Sequence, residues 1–318
     1  MSGHHMGKHT SLSLLSVLCI LVSCSPRVSE FTFVQMTDPQ IGFRDKSAGF
    51  EVSDSLFSKA AAAVNELNPA FVVITGDLVD NCADLQQDSI YRANKAKIKA
   101  PVYEIPGNHD IRPWTRKNAS DYFAKRGNLN FYFRRYGCAF IGLDSNCIVN
   151  ASEEDKSAAA DFESSQYAFL VESLRKSRRC RHIFVFLHCP VIRESIDEEN
   201  DYFNFPKATH GQPLSGVNVS SGVNVSSGGN VSSGGNVVSG LNVGANEGKR
   251  EKYLALFQKY GVDVVFAGHT HMDYDTTAEG IRFVTAGPVG MPLGRGYSGY
   301  EVVTVTKDGV DCRFVKTS

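Results

Sequence analysis

The sequence has no excess of charge of either sign: 33 Lys and Arg face 34 Asp and Glu, a net charge of −1. It therefore carries no basic footprint for nucleic acid. It also lacks a C-x-x-C pair among its 8 cysteines, so neither a zinc ribbon nor a disulfide framework is indicated. The apolar stretch Leu12 to Val22 is too short to span a bilayer. Between Gly216 and Ala245 charge disappears altogether and large side chains nearly so. Such a stretch cannot bury enough surface to offset its ordering entropy as part of a core.

What is present is a set of apolar runs, each ending in a side chain able to hold a metal. The organising stretch is Ile105-Pro106-Gly107-Asn108-His109-Asp110. Val102 to Ile105 reads as a short buried strand that the Pro-Gly pair stops and turns. Asn108 then offers a neutral carbonyl oxygen, His109 a group that moves a proton near neutral pH, and Asp110 a carboxylate able to orient that imidazole. The pattern recurs. Phe31 to Met36 runs into Asp38 and Gln40, and Ala70 to Ile74 into Gly76-Asp77. Ile183 to Leu187 ends in His188, and Val262 to Ala267 in Gly268-His269-Thr270-His271. Buried strands separated by helices predict a largely parallel sheet that binds ligands beyond its carboxyl ends. Taken singly, each residue also has a plain structural role: Asp38 or Asp77 as turn residues, His188 as a buried histidine, His269 and His271 as a surface pair.

The chain opens with features of export. A weakly basic lead containing Lys8 precedes Leu12 to Val22, which has the length of a signal core. Leu21-Val22-Ser23-Cys24 resembles the cleavage box of bacterial lipoproteins, so residues 1–24 are expected to be a signal with Cys24 as a lipid anchor. That predicts a cell-envelope lipoprotein attached to membrane only through this anchor; ordinary cleavage and secretion is the alternative. His4, His5 and His9 are set apart from the site. A length of 318 residues suggests about two domains. The ligand-bearing blocks from Asp38 to His271 must meet, however, which argues for a single domain over 25–318. Helical spacing of Val52, Leu56, Ala60, Ala63, Val64 and Leu67 ends at Asn68-Pro69. Similar patterns run over Leu85 to Ile98, Phe162 to Leu174 and Tyr253 to Tyr260. A further strand, Ala139 to Leu143, ends in Asp144-Ser145. Arg282 to Thr285, Tyr300 to Thr306 and Val310 to Val315 read as antiparallel, with Asp308-Gly309 as a hairpin turn. A six-residue period from Gly216 marks a low-complexity insertion at about 215–248, or alternatively an adhesive arm.

In order and context, Asp38, Gly76-Asp77, Gly107-Asn108-His109-Asp110, His188 and Gly268-His269-Thr270-His271 resemble the signature of the calcineurin-like metallophosphoesterases. The departure is Gln40, where most of that superfamily carries histidine. Asp38-Pro39-Gln40-Ile41-Gly42, the stretch 194–204 and Leu293-Gly294-Arg295 resemble instead its branch of single-domain serine/threonine phosphatases. The resemblance implies an α/β fold, a four-layer α-β-β-α sandwich of two mixed sheets. It implies that Asp38, Gln40, Asp77 and His271 hold one divalent ion, and that Asp77 bridges to a second held by Asn108, His188 and His269. Mixed carboxylate, amide and imidazole donors suit manganese, iron or zinc, and the amide of Gln40 should weaken the first site or change its preference. Two such ions would activate a water for attack on phosphorus. His109 would protonate the leaving oxygen, with Asp110 holding its tautomer, and Arg295 would anchor phosphate or solvate a loop. No cysteine stands in a C-x5-R arrangement, which removes the cysteine-dependent route to the same reaction. The expected activity is hydrolysis of a phosphorylated substrate, most simply a phosphomonoester, including phosphoserine or phosphothreonine in proteins. A phosphodiesterase for nucleotides or lipid head groups, and a weakly catalytic surface binding protein, are the alternatives.

Overall fold

Phenylalanines at alternate strand positions set the layering. In the strand Phe31–Met36, Phe31 and Phe33 enter one buried cluster while Val34 and Met36 enter another, as the two-residue period of a strand requires. The computed structural model describes residue 1 and residues 30–146, 154–193, 249–293 and 297–317. The signal-like stretch with Cys24, the segment 194–204, the six-residue repeat and Arg295 all lie outside the described residues.

In chain order the elements are β1 (Phe31–Met36), α1 (Glu51–Leu67), β2 (Val72–Thr75), α2 (Leu85–Lys95), β3 (Val102–Ile105), α3 (Arg116–Arg126), β4 (Phe131–Arg135) and β5 (Cys138–Gly142). They continue with α4 (Lys156–Ser177), β6 (Ile183–Phe186), α5 (Lys249–Tyr260), β7 (Val264–Ala267), β8 (Tyr274–Ala278), β9 (Ile281–Thr285), β10 (Gly299–Val305) and β11 (Val310–Lys316). One sheet runs β11-β10-β1-β2-β3 and the other β4-β5-β6-β7-β9-β8. Parallel pairs lie at the ligand-bearing strands, β1 with β2, β2 with β3, and β6 with β7. Antiparallel pairs close the margins. Both sheets are therefore mixed, with helices outside them, the expected α-β-β-α sandwich.

The two sheets meet through Phe31, Phe33, Phe71, Phe140, Phe184, Phe186 and Phe266. The Phe33 ring lies 5.0 Å from Phe71 and 5.5 Å from Phe184, in the offset and edge-on arrangements aromatic pairs prefer. Outside the first sheet, Phe57, Ala60, Ala61 and Val64 of α1 and Tyr91 of α2 cover Val72 and Ile74. Outside the second, Leu170 and Leu174 of α4 and Phe257 of α5 cover Val185 and Val265.

Helix ends follow local chemistry. Asn68 takes a left-handed φ of 48° after α1, and the Asp84 side chain accepts from the amides of Gln86 and Gln87 to open α2. Three elements went unforeseen. The helix α3 offers few apolar residues, and its Thr115 cap and Gly127 stop are its only plain signals. β4 and β8 are edge strands whose positions, Phe131 apart, are exposed or half-buried, so a search for buried apolar runs passes over them.

Truncating the ring at the centre of the intersheet layer should remove both transfer energy and packing. Phe33→Ala is expected to cost about 3–5 kcal/mol in urea unfolding, whereas Phe123→Ala, at an exposed position, should stay within about 0.5 kcal/mol. Equal losses would contradict this layering.

Candidate metal centre

Each candidate ligand follows the carboxyl end of a strand, where the chain turns sharply. Five of them, Asp38, Gln40, Asp77, His269 and His271, have positive φ, between 34° and 70°. Such backbone costs on the order of 1–3 kcal/mol per residue and clusters at functional sites. The turns also touch. A Cβ on Gly76, itself at φ 94°, would sit 2.5 Å from the Gly107 amide nitrogen, and one on Gly107 would overlap the Asp77 amide. Glycine at both positions lets the loops after β2 and β3 come into contact.

These turns bring six of the seven candidate ligands, all but Gln40, within a few ångströms of one another. His188 Nε2 lies 3.0 Å from Asn108 Oδ1, 3.2 Å from His269 Nδ1 and 3.4 Å from Asp77 Oδ1. His271 Nε2 lies 3.4 Å from Asp38 Oδ1. Oxygen and nitrogen atoms of Asp38, Asp77 and His188 fall within 4.8 Å of one another.

The outward-facing ring nitrogens are occupied by backbone carbonyls. His188 Nδ1 meets Thr75 O at 2.8 Å and His271 Nδ1 meets Met291 O at 2.9 Å. A carbonyl there accepts a hydrogen bond from Nδ1–H and leaves Nε2 as the nitrogen that faces inward, the usual arrangement behind a metal-binding imidazole.

The inner atoms are nearly all acceptors. Among the described residues Asp38 Oδ1 and Gln40 Oε1 are buried without a hydrogen-bond partner, a costly state unless a cation faces them. Gln40 Nε2 lies 3.4 Å from Asp80 Oδ1, so its oxygen is the end free to face a cation. The residues present thus fit divalent ions: buried orphan oxygens, inward-facing imidazole nitrogens and two carboxylates whose ion pairs, among the described residues, are with imidazoles and with no lysine or arginine.

Charge states follow the same crowding. Burial opposes ionisation of Asp38 and Asp77, yet His271 holds Asp38 and His188 holds Asp77 below the ordinary carboxylate range. Burial also opposes a charge on His188, but Asp77 and Asp38 raise it to about 9. His269 is lowered to about 4 by burial and by the His188 charge. His271 is raised, Asp38 outweighing the effect of burial.

The reading of Asp110 needs correction. Its carboxylate does not touch the His109 ring; it accepts from the amides of Gly107 at 2.8 Å and Leu78 at 3.0 Å. It fastens one turn to the other. Burial and the Asp77 charge push it up to about 7, against the pull of those amides. The group beside His109 is Asp80, whose main-chain oxygen lies 2.9 Å and whose Oδ1 lies 3.1 Å from Nδ1. Asp80 was missed, although Gly76-Asp77-Leu78-Val79-Asp80 places it one turn after a candidate ligand. Burial lowers the His109 pKa, but the Asp80 bond and the Asp77 charge raise it to about 9. Asn146 was missed as well: its Nδ2 donates to Asp144 Oδ1 at 2.7 Å and to Pro106 O at 3.0 Å, and so props the Gly107-Asn108 turn from behind. Only the strand-end position of Asp144-Ser145 signalled it.

The family model of the calcineurin-like phosphoesterases matches residues 31–273. The chain belongs to the calcineurin-like phosphoesterase family. It is a metal-dependent phosphoester hydrolase of that family, and membership together with the donor set implies a pair of divalent ions. Among its relatives is the human serine/threonine-protein phosphatase CPPED1, 28% identical over 305 residues, spanning 89% of this chain and 83% of that protein. A probable glycerophosphodiester phosphodiesterase GpdQ of Arcobacter nitrofigilis is 25% identical over 170 residues, 52% of this chain and 59% of that one. A dimetal phosphatase from Danio rerio shares the fold with a TM-score of 0.58 at 14% identity, covering 91% of this chain and 96% of that one.

The contact between Asp80 and His109 generates a pH prediction. A pKa raised above 6.5 means the pair stabilises the fold fully below pH 6.5 and loses that contribution as pH rises through about 9. In metal-free protein, Asp80→Asn should bring the His109 titration, followed by NMR, down from about 9 toward 6.5. An unmoved titration would show that Asp80 does not hold the ring.

Proposed function

We propose that this phosphoesterase hydrolyses phosphomonoesters, with phosphoserine or phosphothreonine side chains of proteins as the substrate class, using manganese, iron or zinc. The observation that carries the reading is the union of orphan acceptors at Asp38 and Gln40 with a half-buried His109 whose Nδ1 is already engaged. The likeness to CPPED1, a protein serine/threonine phosphatase by name, supports the substrate class.

In this reading Asp38, Gln40, Asp77 and His271 hold one ion, and Asp77, Asn108, His188 and His269 the other. The ions, when bound, supply an activated water and neutralise charge on the phosphoryl oxygens. The chain does the rest. Left-handed turns fix the donors before substrate arrives, so little reorganisation accompanies the reaction. Asp80 fixes the proton of His109 on Nδ1 in the neutral ring, and in the charged ring Nε2 carries the proton that can be given away. As the bond from phosphorus to the ester oxygen breaks and one to the water oxygen forms, His109 Nε2 protonates the departing oxygen. Asp110 acts at one remove, by holding the turns that carry Asp77 and Asn108. A diester reading draws on the partial likeness to GpdQ.

The test is hydrolysis of an aryl phosphate by a soluble form beginning at Ser25, stripped of metal and refilled separately with manganese, iron or zinc. Activity should require metal and fall more than about a hundredfold in Asp77→Asn. Activity with an aryl diester but not with the monoester would move the assignment to a diesterase. Activity untouched by stripping or by Asp77→Asn would overturn the metal-dependent mechanism.

A further inference from the structure

The loop between Gln40 and Asp45 brings beside His271 and His109 two residues that none of the steps above uses, Phe43 and, stacked over its ring, Arg44. The loop is firmly built. The Phe43 amide donates to Gln40 O at 2.9 Å and the Asp45 amide to Gly42 O at 3.2 Å. The Asp45 carboxylate accepts from the Ser53 amide at 2.7 Å and from Ser53 Oγ at 2.9 Å, which fastens the loop to the first turn of α1. Gly42, at φ 98°, lies so near Gln87 that a Cβ there would collide with its side-chain amide.

This frame presents a ring and a cation. The half-buried Phe43 ring has its centroid 5.1 Å from that of His271 and 6.4 Å from that of His109. The Arg44 guanidinium carbon stands 5.4 Å over the same ring. Arg44 is exposed, has φ 52°, and meets no carboxylate among the described residues. Ordinary surface arginines do not need left-handed backbone, and strained positions beside a reaction centre are where function is found. A guanidinium stacked on an aromatic face keeps its charge and its fork of donors for an anion such as a carboxylate or phosphate.

His109 gives its proton to the departing oxygen, so the leaving group lies near His109, and the Phe43 ring, with Arg44 over it, stands within ring-contact distance of both His109 and His271. We propose that Phe43 and Arg44 form a leaving-group subsite, selecting phosphomonoesters whose departing alcohol or phenol carries a second anionic group. The ring walls the leaving group and positions the guanidinium; the guanidinium binds the anion. This inference rests on the phosphomonoester reading and names the class of ester within it.

The test compares three esters with the same ring: phenyl phosphate, 3-carboxyphenyl phosphate and 1,3-phenylene bisphosphate, the last two distinguishing a carboxylate from a phosphate as the second anion. With the metal-loaded chain, kcat/KM should favour at least one anionic ester by about tenfold over phenyl phosphate, the scale of one charge-assisted contact. In Arg44→Gln that ratio should collapse to about one, and in Phe43→Leu it should fall partway, with bound metal unchanged in both. A ratio near one in the unmodified chain, a ratio that survives Arg44→Gln, or a loss of bound metal in either variant would overturn the subsite. If no ester turns over, the phosphomonoester reading fails separately. Calorimetric binding of phenylphosphonate against 3-carboxyphenylphosphonate then reads the same ratio and still decides the subsite.

Discussion

One buried carboxylate joins the two turns on which the centre depends. Asp110 accepts from the Gly107 amide after β3 and from the Leu78 amide after β2, and the contact of Gly76 with Gly107 leaves no space between them. A carboxylate that receives backbone amides from two segments fixes their separation more firmly than apolar packing could, because hydrogen bonds are directional and a buried unpaired amide is costly. Asp77 and Asn108 thereby acquire a set distance. His188 and His269 come from the other sheet, and the phenylalanine layer that holds the sheets together sets how near they approach. Packing in the middle of the sandwich and geometry at its edge are thus one problem.

The electrostatics of the centre make sense only as a group. Carboxylates held low, the imidazoles of His188 and His271 raised and that of His269 lowered are the responses of acceptors crowded together with few protons to share. Main-chain carbonyls behind His188 and His271 decide which nitrogen faces inward, so the fold selects the tautomers. Gln40 fits the same logic by another route. An amide has one donor end and one acceptor end, and with Asp80 near the donor end the buried oxygen is left without a hydrogen-bond partner among the described residues. Asp80 therefore faces both Gln40 and His109, and couples the position of a candidate ligand to that of the proton donor.

Much of this was legible in the sequence. Apolar runs ending in Asp38, Asp77, Asn108, His188 and His269 exposed both the parallel strands and the candidate ligands, because burial on both faces leaves the strand end as the place where a polar side chain can emerge. Edge strands β4 and β8 and the polar helix α3 lack that contrast. The misplaced partner of His109 has a different origin. Sequence adjacency suggested Asp110, but a side chain one residue away in a tight turn points elsewhere, and the true neighbour comes from a loop 29 residues earlier. Left-handed backbone at five candidate ligands was likewise invisible, since none of them is glycine.

The central claim is that these buried acceptors hold a pair of divalent ions, and counting the ions tests it most directly. Metal-stripped protein would be saturated with manganese, freed of excess ion by gel filtration and analysed for metal per chain. The account predicts two ions per chain, with fewer retained when Asp77 is replaced by Asn. No bound manganese, or a content that Asp77→Asn leaves unchanged, would contradict it.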